Sequence, residues 1–312
     1  MPTFDKLKLV ASLSSVEVVD QSLFTIVKEH GRIKSMRMSF TEPFFLSMEL
    51  NYDRQEFVLE FTGKVLGPDY PQLISEKTIM QCFERINEMG FCIVDPTKMM
   101  EAEVVKCDVT TDISVDNISE MTRWIRANVS SFQSYTCRIL SNKNLIIEKN
   151  VCTPKRKKRM TIYNKENEMS LSKEREFVTE NGLTGTFDGK CRFELNLCSK
   201  QQIREALGLT GNTLAEVLHS DKNPIADFLN DVIAEKSTSV CEETNNWKKY
   251  WQLLILNDCD FDLAKVEAKI RQYKDPRSTN IPKMMAPFRE LLSAMPTKKS
   301  SWSKERLLSA LR

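Results

Sequence analysis

Between residues 23 and 63 four short segments follow one another: LFTIVKEH (23–30), RIKSMRMSF (32–40), FFLSMEL (44–50) and QEFVLEFTG (55–63). Each is rich in β-branched and aromatic residues and partly alternates in polarity. The polar breaks between them are too short for a crossover helix, so neighbouring segments have to pair antiparallel, as a meander. The alternation is cleanest in KCRFELNL (190–197), where Phe193, Leu195 and Leu197 oppose Arg192, Glu194 and Asn196. Further strands are predicted at EVVKCDVTTDI (103–113), near SYTCRIL and NLIIEKN, and at RMTIYN. Helices are predicted at SEKTIMQCFERINEMG, with Ser75 as N-cap and Gly90 as stop, at VDNISEMTRWIRANV behind Asp116 or Asn117, and around 167–178. Strands and helices mix without a βαβ rhythm, which predicts an α+β fold on an antiparallel sheet.

From Ser199 onward the pattern turns helical, and the polar stretch EKSTSVCEET predicts a boundary near residue 240. Residues 1–240 are then an α+β domain and 241–312 a helical C-terminal region, ending in a basic tail with one last amphipathic helix. No internal repeat is visible in the sequence.

The formal charge of the 312-residue chain is only +2, so affinity for nucleic acid has to come from local clustering. The nine cysteines are scattered without a Cys-x-x-Cys pair, which argues against a disulfide framework or zinc ribbon and for a reducing, cytoplasmic setting. No apolar run reaches membrane-spanning length, so no membrane partner is expected. Phosphate-binding, dinucleotide-binding and hydrolase glycine motifs are missing. Two histidines only, His30 and His219, leave little material for histidine-based catalysis.

The remaining chemistry lies on strands. Lys106, Asp108 and Thr110 share a strand face, and a carboxylate among cations suits a hard dication such as Mg2+ or Mn2+, although a solvent-facing residue would look the same. In RMTIYNKENEM, Tyr163 shares a face with Thr161, with Lys165 and Glu168 just beyond. A tyrosine beside a cation and a carboxylate could attack a phosphodiester; it could equally be a half-buried sheet aromatic. Glu194 with Arg192 reads either as a metal ligand or as a cross-strand ion pair. Lys155, Arg156, Lys157, Lys158 and Arg159 form a basic run that attracts phosphates or simply decorates a surface loop.

Taken in order, FDKLKLV, FTGKVLGPDY, VVKCDVTTDI, RMTIYNKENEM, CRFELNL and YWQLLILNDCDFDLAKVEAKIRQY resemble the segments of the filamentous-phage and plasmid rolling-circle replication initiators. The resemblance implies a metal-dependent enzyme that nicks one strand of origin DNA, stays on the 5′ phosphate through a tyrosine, rejoins the strand later, and cooperates with a host helicase. It implies Tyr163 as nucleophile and Lys165 as phosphate contact, with Tyr135 and Tyr250 as rivals for the attack. Asp108, Glu168 and Glu194 would hold Mg2+ or Mn2+, and Lys106, Arg192 and residues 155–159 would contact DNA. The histidine pair of many such initiators has no counterpart, and Lys106 stands where arginine is commoner. Those departures motivate a second reading, a non-catalytic DNA-binding copy-number regulator, and a third is an RNA-binding α+β domain, since antiparallel sheets with exposed aromatics also stack on RNA bases.

Overall fold

The computed structural model describes residues 1–41, 43–129, 135–140, 144–149, 158–233 and 300–312. The strands are β1 (Phe4–Ser12), β2 (Val16–Val18), β3 (Thr25–Glu29), β4 (Arg32–Thr41), β5 (Phe44–Asn51), β6 (Glu56–Thr62), β7 (Cys92–Val94), β8 (Glu103–Ser114), β9 (Tyr135–Ile139), β10 (Leu145–Lys149), β11 (Arg159–Asn164) and β12 (Lys190–Leu197). Ten of them make one antiparallel sheet in the order β3-β4-β5-β6-β1-β8-β12-β11-β10-β9, while β2 and β7 pair separately. The chain is therefore α+β, and the meander expected over 23–63 is β3 to β6.

The strand order contains a repeat that the residues do not display. After β1 the chain builds β3, β4 and β5 and returns with β6 to lie beside β1; after β8 it builds β9, β10 and β11 and returns with β12 to lie beside β8. Because β1 and β8 are antiparallel neighbours, the two five-stranded halves are related by an approximate two-fold axis normal to the sheet. The halves differ where the last two strands join. A four-residue turn, 52–55, links β5 to β6, whereas 165–189 with two helices links β11 to β12.

Alternation gives the sheet one apolar face. Leu7, Leu9, Leu59, Phe61, Cys107, Val109, Phe193, Leu195, Met160 and Ile162 are all buried in the main core. Helices α1 (Ile79–Glu88), α3 (Ile118–Asn128), α6 (Lys200–Leu207), α7 (Leu214–Leu218) and α8 (Pro224–Val232) add their apolar stripes to it, as does the short α2 (Pro96–Met100) through Met99. Asn117 caps α3 by accepting from the Glu120 amide, as predicted. Ser75 does not cap α1: the helix begins at Ile79 behind Thr78, whose hydroxyl instead donates to the Leu73 carbonyl at 2.7 Å. The single helix expected around 167–178 is two, α4 (Lys165–Met169) and α5 (Ser172–Glu180), broken at Leu171. The amphipathic tail helix is present as α9 (Lys304–Ala310).

On the opposite, polar face the segment Gly63–Gln72 and the α4–α5 linker cover one end of the sheet. They do so through a satellite cluster of Tyr70, Leu73, Met169, Leu183 and Phe187, and Lys64 reaches Glu174 at 2.7 Å to tie the two pieces together. No described helix is long and apolar enough to cross a membrane. The predicted boundary near 240, Tyr250, Lys155, Arg156 and Lys157 lie outside the described residues.

Candidate active site

The covered end of the polar face holds a cluster built from five separate chain segments. Register places Tyr163 of β11, Arg192 of β12 and Asp112 of β8 side by side across three strands. A bulge in β1 between Phe4 and Lys6 makes Asp5 the extra residue on that strand, and re-aiming one side chain is a common use of bulges. Asp5 is thereby brought within reach of the same group.

Arg192 is the hub. It is fully buried, and its Nε and Nη2 bind Asp112 Oδ1 and Oδ2 at 2.7 Å each, while Nη1 binds Asp5 Oδ1 at 2.7 Å and the Tyr70 hydroxyl at 2.8 Å. A planar guanidinium is the side chain that can satisfy a fork of this kind. Lys165, the first residue of α4, is buried as well. Its Nζ donates to Tyr70 Oη at 2.7 Å and to Glu168 Oε2 at 2.5 Å, and it lies 5.1 Å from the centre of the Tyr70 ring and 5.8 Å from that of Tyr163. Tyr70 accepts from both cations and donates to Asp5 Oδ1 at 2.9 Å, so its hydroxyl is fully used. Tyr163 stands apart from that network: its hydroxyl donates to Glu194 Oε1 at 2.5 Å.

The cluster's charge is unbalanced. Asp5, Asp112, Glu168 and Glu194 face Arg192 and Lys165, four carboxylates against two cations. Burial works against ionising Asp5, but Arg192, with Lys165 and the Tyr70 hydroxyl, holds its carboxyl below the usual range. Glu194 takes the opposite course: burial first, and then the neighbouring Asp5 charge, push it up to about 8 despite Arg192 and Lys165. Burial, followed by the Glu194 charge, likewise pushes the Tyr163 phenol well above its ordinary value. The Glu194 shift brings a carboxyl close to neutral pH, where a general base works best, whereas the Tyr163 shift makes its hydroxyl harder to ionise and leaves it dependent on that base.

Of the residues singled out in the sequence, Tyr163, Lys165, Glu168, Arg192 and Glu194 come together here. Asp108 does not join them. It lies opposite Asn196 on β12, one step along from the Thr110–Glu194 pair, where the Asn196 amide donates to it and burial raises its pKa. Lys106 lies further out on β8, 3.6 Å from Glu60. Lys158 and Arg159 are at the start of β11, with Lys158 3.9 Å from Glu205. Tyr135 lies on the edge strand β9 with its ring against Phe228, far from Tyr163 in strand order. Arg192 pairs directly across the strands with Asp112, so for Arg192 the ion-pair reading is the one observed.

The three carboxylates proposed as ligands do not converge, since each serves a different donor: Asn196, Lys165 or Tyr163. Among the described residues no group of three or more His, Cys, Asp or Glu is arranged to hold a metal ion. The sequence reading passed over Asp5, Tyr70 and Asp112. Asp112 was accessible to it, being on the same face of β8 as Asp108 by simple alternation; Asp5 was hidden by the bulge and Tyr70 by the irregular 63–72 segment. No family model matches the chain, and no curated protein matches it significantly.

Proposed function

We propose that the chain is a DNA-nicking and strand-joining enzyme of the rolling-circle initiator type, with Tyr163 as nucleophile and Glu194 as its base. The observation that carries this reading is the 2.5 Å contact between the Tyr163 hydroxyl and Glu194, within the cluster that Arg192 organises. In the nicking direction Tyr163 Oη bonds to phosphorus as its proton passes to Glu194 Oε1. The P–O3′ bond breaks, and the leaving 3′ oxygen takes up that proton. Rejoining runs the same steps backwards, with the 3′ hydroxyl attacking and Tyr163 leaving. Arg192 and Lys165 fix the positions of the acidic groups around Tyr163.

The Mg2+ or Mn2+ that the resemblance implies finds no shared site among the described residues, because Glu194 is taken by Tyr163 and Glu168 by Lys165, so no step is routed through a metal. Incubation with a labelled single-stranded origin oligonucleotide and manganese should give a covalent adduct. Tyr163→Phe should abolish it and Tyr135→Phe should leave it intact. Failure to form an adduct on any origin sequence of the parent replicon would sink the proposal.

The burial of Tyr163, 5% exposed, favours a second reading: a DNA-binding replication regulator in which the Tyr163–Glu194 pair is only structural. Origin binding that persists under chelation, with plasmid maintenance unaffected by Tyr163→Phe, would select it.

A further inference from the structure

Away from the cluster, at the junction of the two halves, the polar face carries an arrangement that costs stability. Lys8 of β1 lies directly opposite Lys106 of β8, and like charges facing each other on adjacent strands repel. Lys6 stands two residues from Lys8 on the same strand face. One carboxylate, Glu60 of β6, serves all three ammoniums, at 2.7 Å from Lys6, 3.0 Å from Lys8 and 3.6 Å from Lys106. Burial opposes ionisation of Glu60, but the lysines overcome it and hold its carboxyl down at about 2. Three cations against the one carboxylate they share leave an excess of positive charge. Asp108, opposite Lys6 and bound by the Asn196 amide, offsets part of it.

The group is also reachable. The Lys8 and Lys106 side chains are 37% and 33% exposed, whereas Glu60 beneath them is 14% exposed. Lys8 forms part of the wall of a depression of about 530 Å³ over β3 to β6, lined also by Thr25, Arg37, Ser39, Ser47 and Glu49. Leu23, Met38, Met48 and Val58 complete the lining, so the depression offers hydroxyls and charges over an apolar floor. On the other side, across β8 and β12, Arg159 stands opposite Asn196, about 15 Å from Lys6 at the usual strand spacing.

We infer that Lys6, Lys8 and Lys106 form a phosphate seat on the open sheet face, which takes a backbone phosphate of single-stranded nucleic acid lying across the junction of the two halves. The inference rests on the nucleic-acid reading above and adds the place where the strand is held outside the reacting cluster. Glu60 is the counter-charge that keeps the lysines erect and close together when the seat is empty. A contact of this kind is to phosphate, so it should be indifferent to base sequence.

The test is fluorescence anisotropy with a labelled twenty-nucleotide DNA strand and its RNA counterpart, titrated at several salt concentrations. Lys8→Gln/Lys106→Gln should weaken binding about tenfold at low salt. It should flatten the dependence of log affinity on log salt by about 0.7, the share of one phosphate contact on a single strand. Glu60→Gln should move the other way, tightening binding several-fold, because it removes the carboxylate that all three lysines share. Lys77→Gln, at an exposed position on the helical side, should bind as the unaltered chain. The same changes are expected on RNA.

Opposite signs for the lysine and glutamate variants separate a phosphate seat from mere damage to the sheet, which would weaken both. An unaltered slope in the double variant, weaker binding by Glu60→Gln, or no binding of either oligonucleotide by the unaltered chain would overturn the inference. Adduct formation is read separately. A missing adduct with these slope changes intact would remove the nicking reading alone, and a normal adduct with an unchanged slope would remove the seat alone.

Discussion

The raised Glu194 carboxyl should make the folded chain less stable as pH rises, and Glu194→Gln should abolish that loss. An unfolded glutamate titrates near 4.5, and in the folded chain Glu194 titrates at about 8. Between those values the folded state holds a proton that the unfolded state has released, so stability falls with rising pH across that window and is level above it. Each pH unit well inside the window is worth about 1.4 kcal/mol, and because Glu194 is half-ionised at about pH 8 the chain should lose about 2 kcal/mol between about pH 6 and about pH 8. Glutamine keeps the Oε1 acceptor for the Tyr163 hydroxyl but has no proton to release. The assay is urea unfolding of both proteins at pH values from about 6 to about 9, taking the difference between them at each pH. That subtraction removes the contribution of cysteines ionising in the unfolded chain. A difference that stays constant across the range would refute the reasoning, because it would mean that Glu194 is ionised throughout and that Arg192 and Lys165 outweigh its burial.

The same assignment predicts that the rate of adduct formation rises with pH up to about 8, where Glu194 becomes the free base, and then levels off; a rate independent of pH below 8 would deny it that role. Arg192→Lys keeps a charge but loses the fork to Asp112 and Asp5, and should cost roughly 3 kcal/mol or more in chemical unfolding, since hydrogen bonds between charged groups and buried pairs are at stake. Gly67→Ala places a side chain at φ +60, ψ −118, with its Cβ 2.8 Å from Asn181 Oδ1. It should lower stability by roughly 1–3 kcal/mol and loosen the packing of residues 63–72 over the cluster, both readable from a thermal melt and from amide exchange near Tyr70. Thr213→Ala removes the capping box of α7, in which Thr213 and Glu216 exchange hydrogen bonds, and should cost about 1 kcal/mol.

The sheet was legible because alternation over β4, β5, β6, β8 and β12 is a local signal that burial of one face then enforces. The pairing order was not, since nothing local says that β6 and β12 return to β1 and β8; that follows from closing loops tens of residues long. Within the cluster, Tyr163, Lys165, Glu168, Arg192 and Glu194 were found because they sit on or beside regular strands. Asp5 escaped because a bulge breaks the period of two, and Tyr70 because it belongs to a segment with two prolines and a kink at Gly67. Asp108 was placed on the correct face but too far along it: strand periodicity gives the face and leaves the position along the strand to the register.

The ion pair between Asp5 and Arg192 joins residues 187 positions apart. During synthesis, every earlier strand of the sheet has left the ribosome before β12 arrives to complete the cluster. A chain that ended before residue 190 would lack Arg192 and Glu194, and with them the strand that joins β8 to β11. Asp5, Tyr70 and Asp112, all present by then, wait for the one guanidinium that joins them.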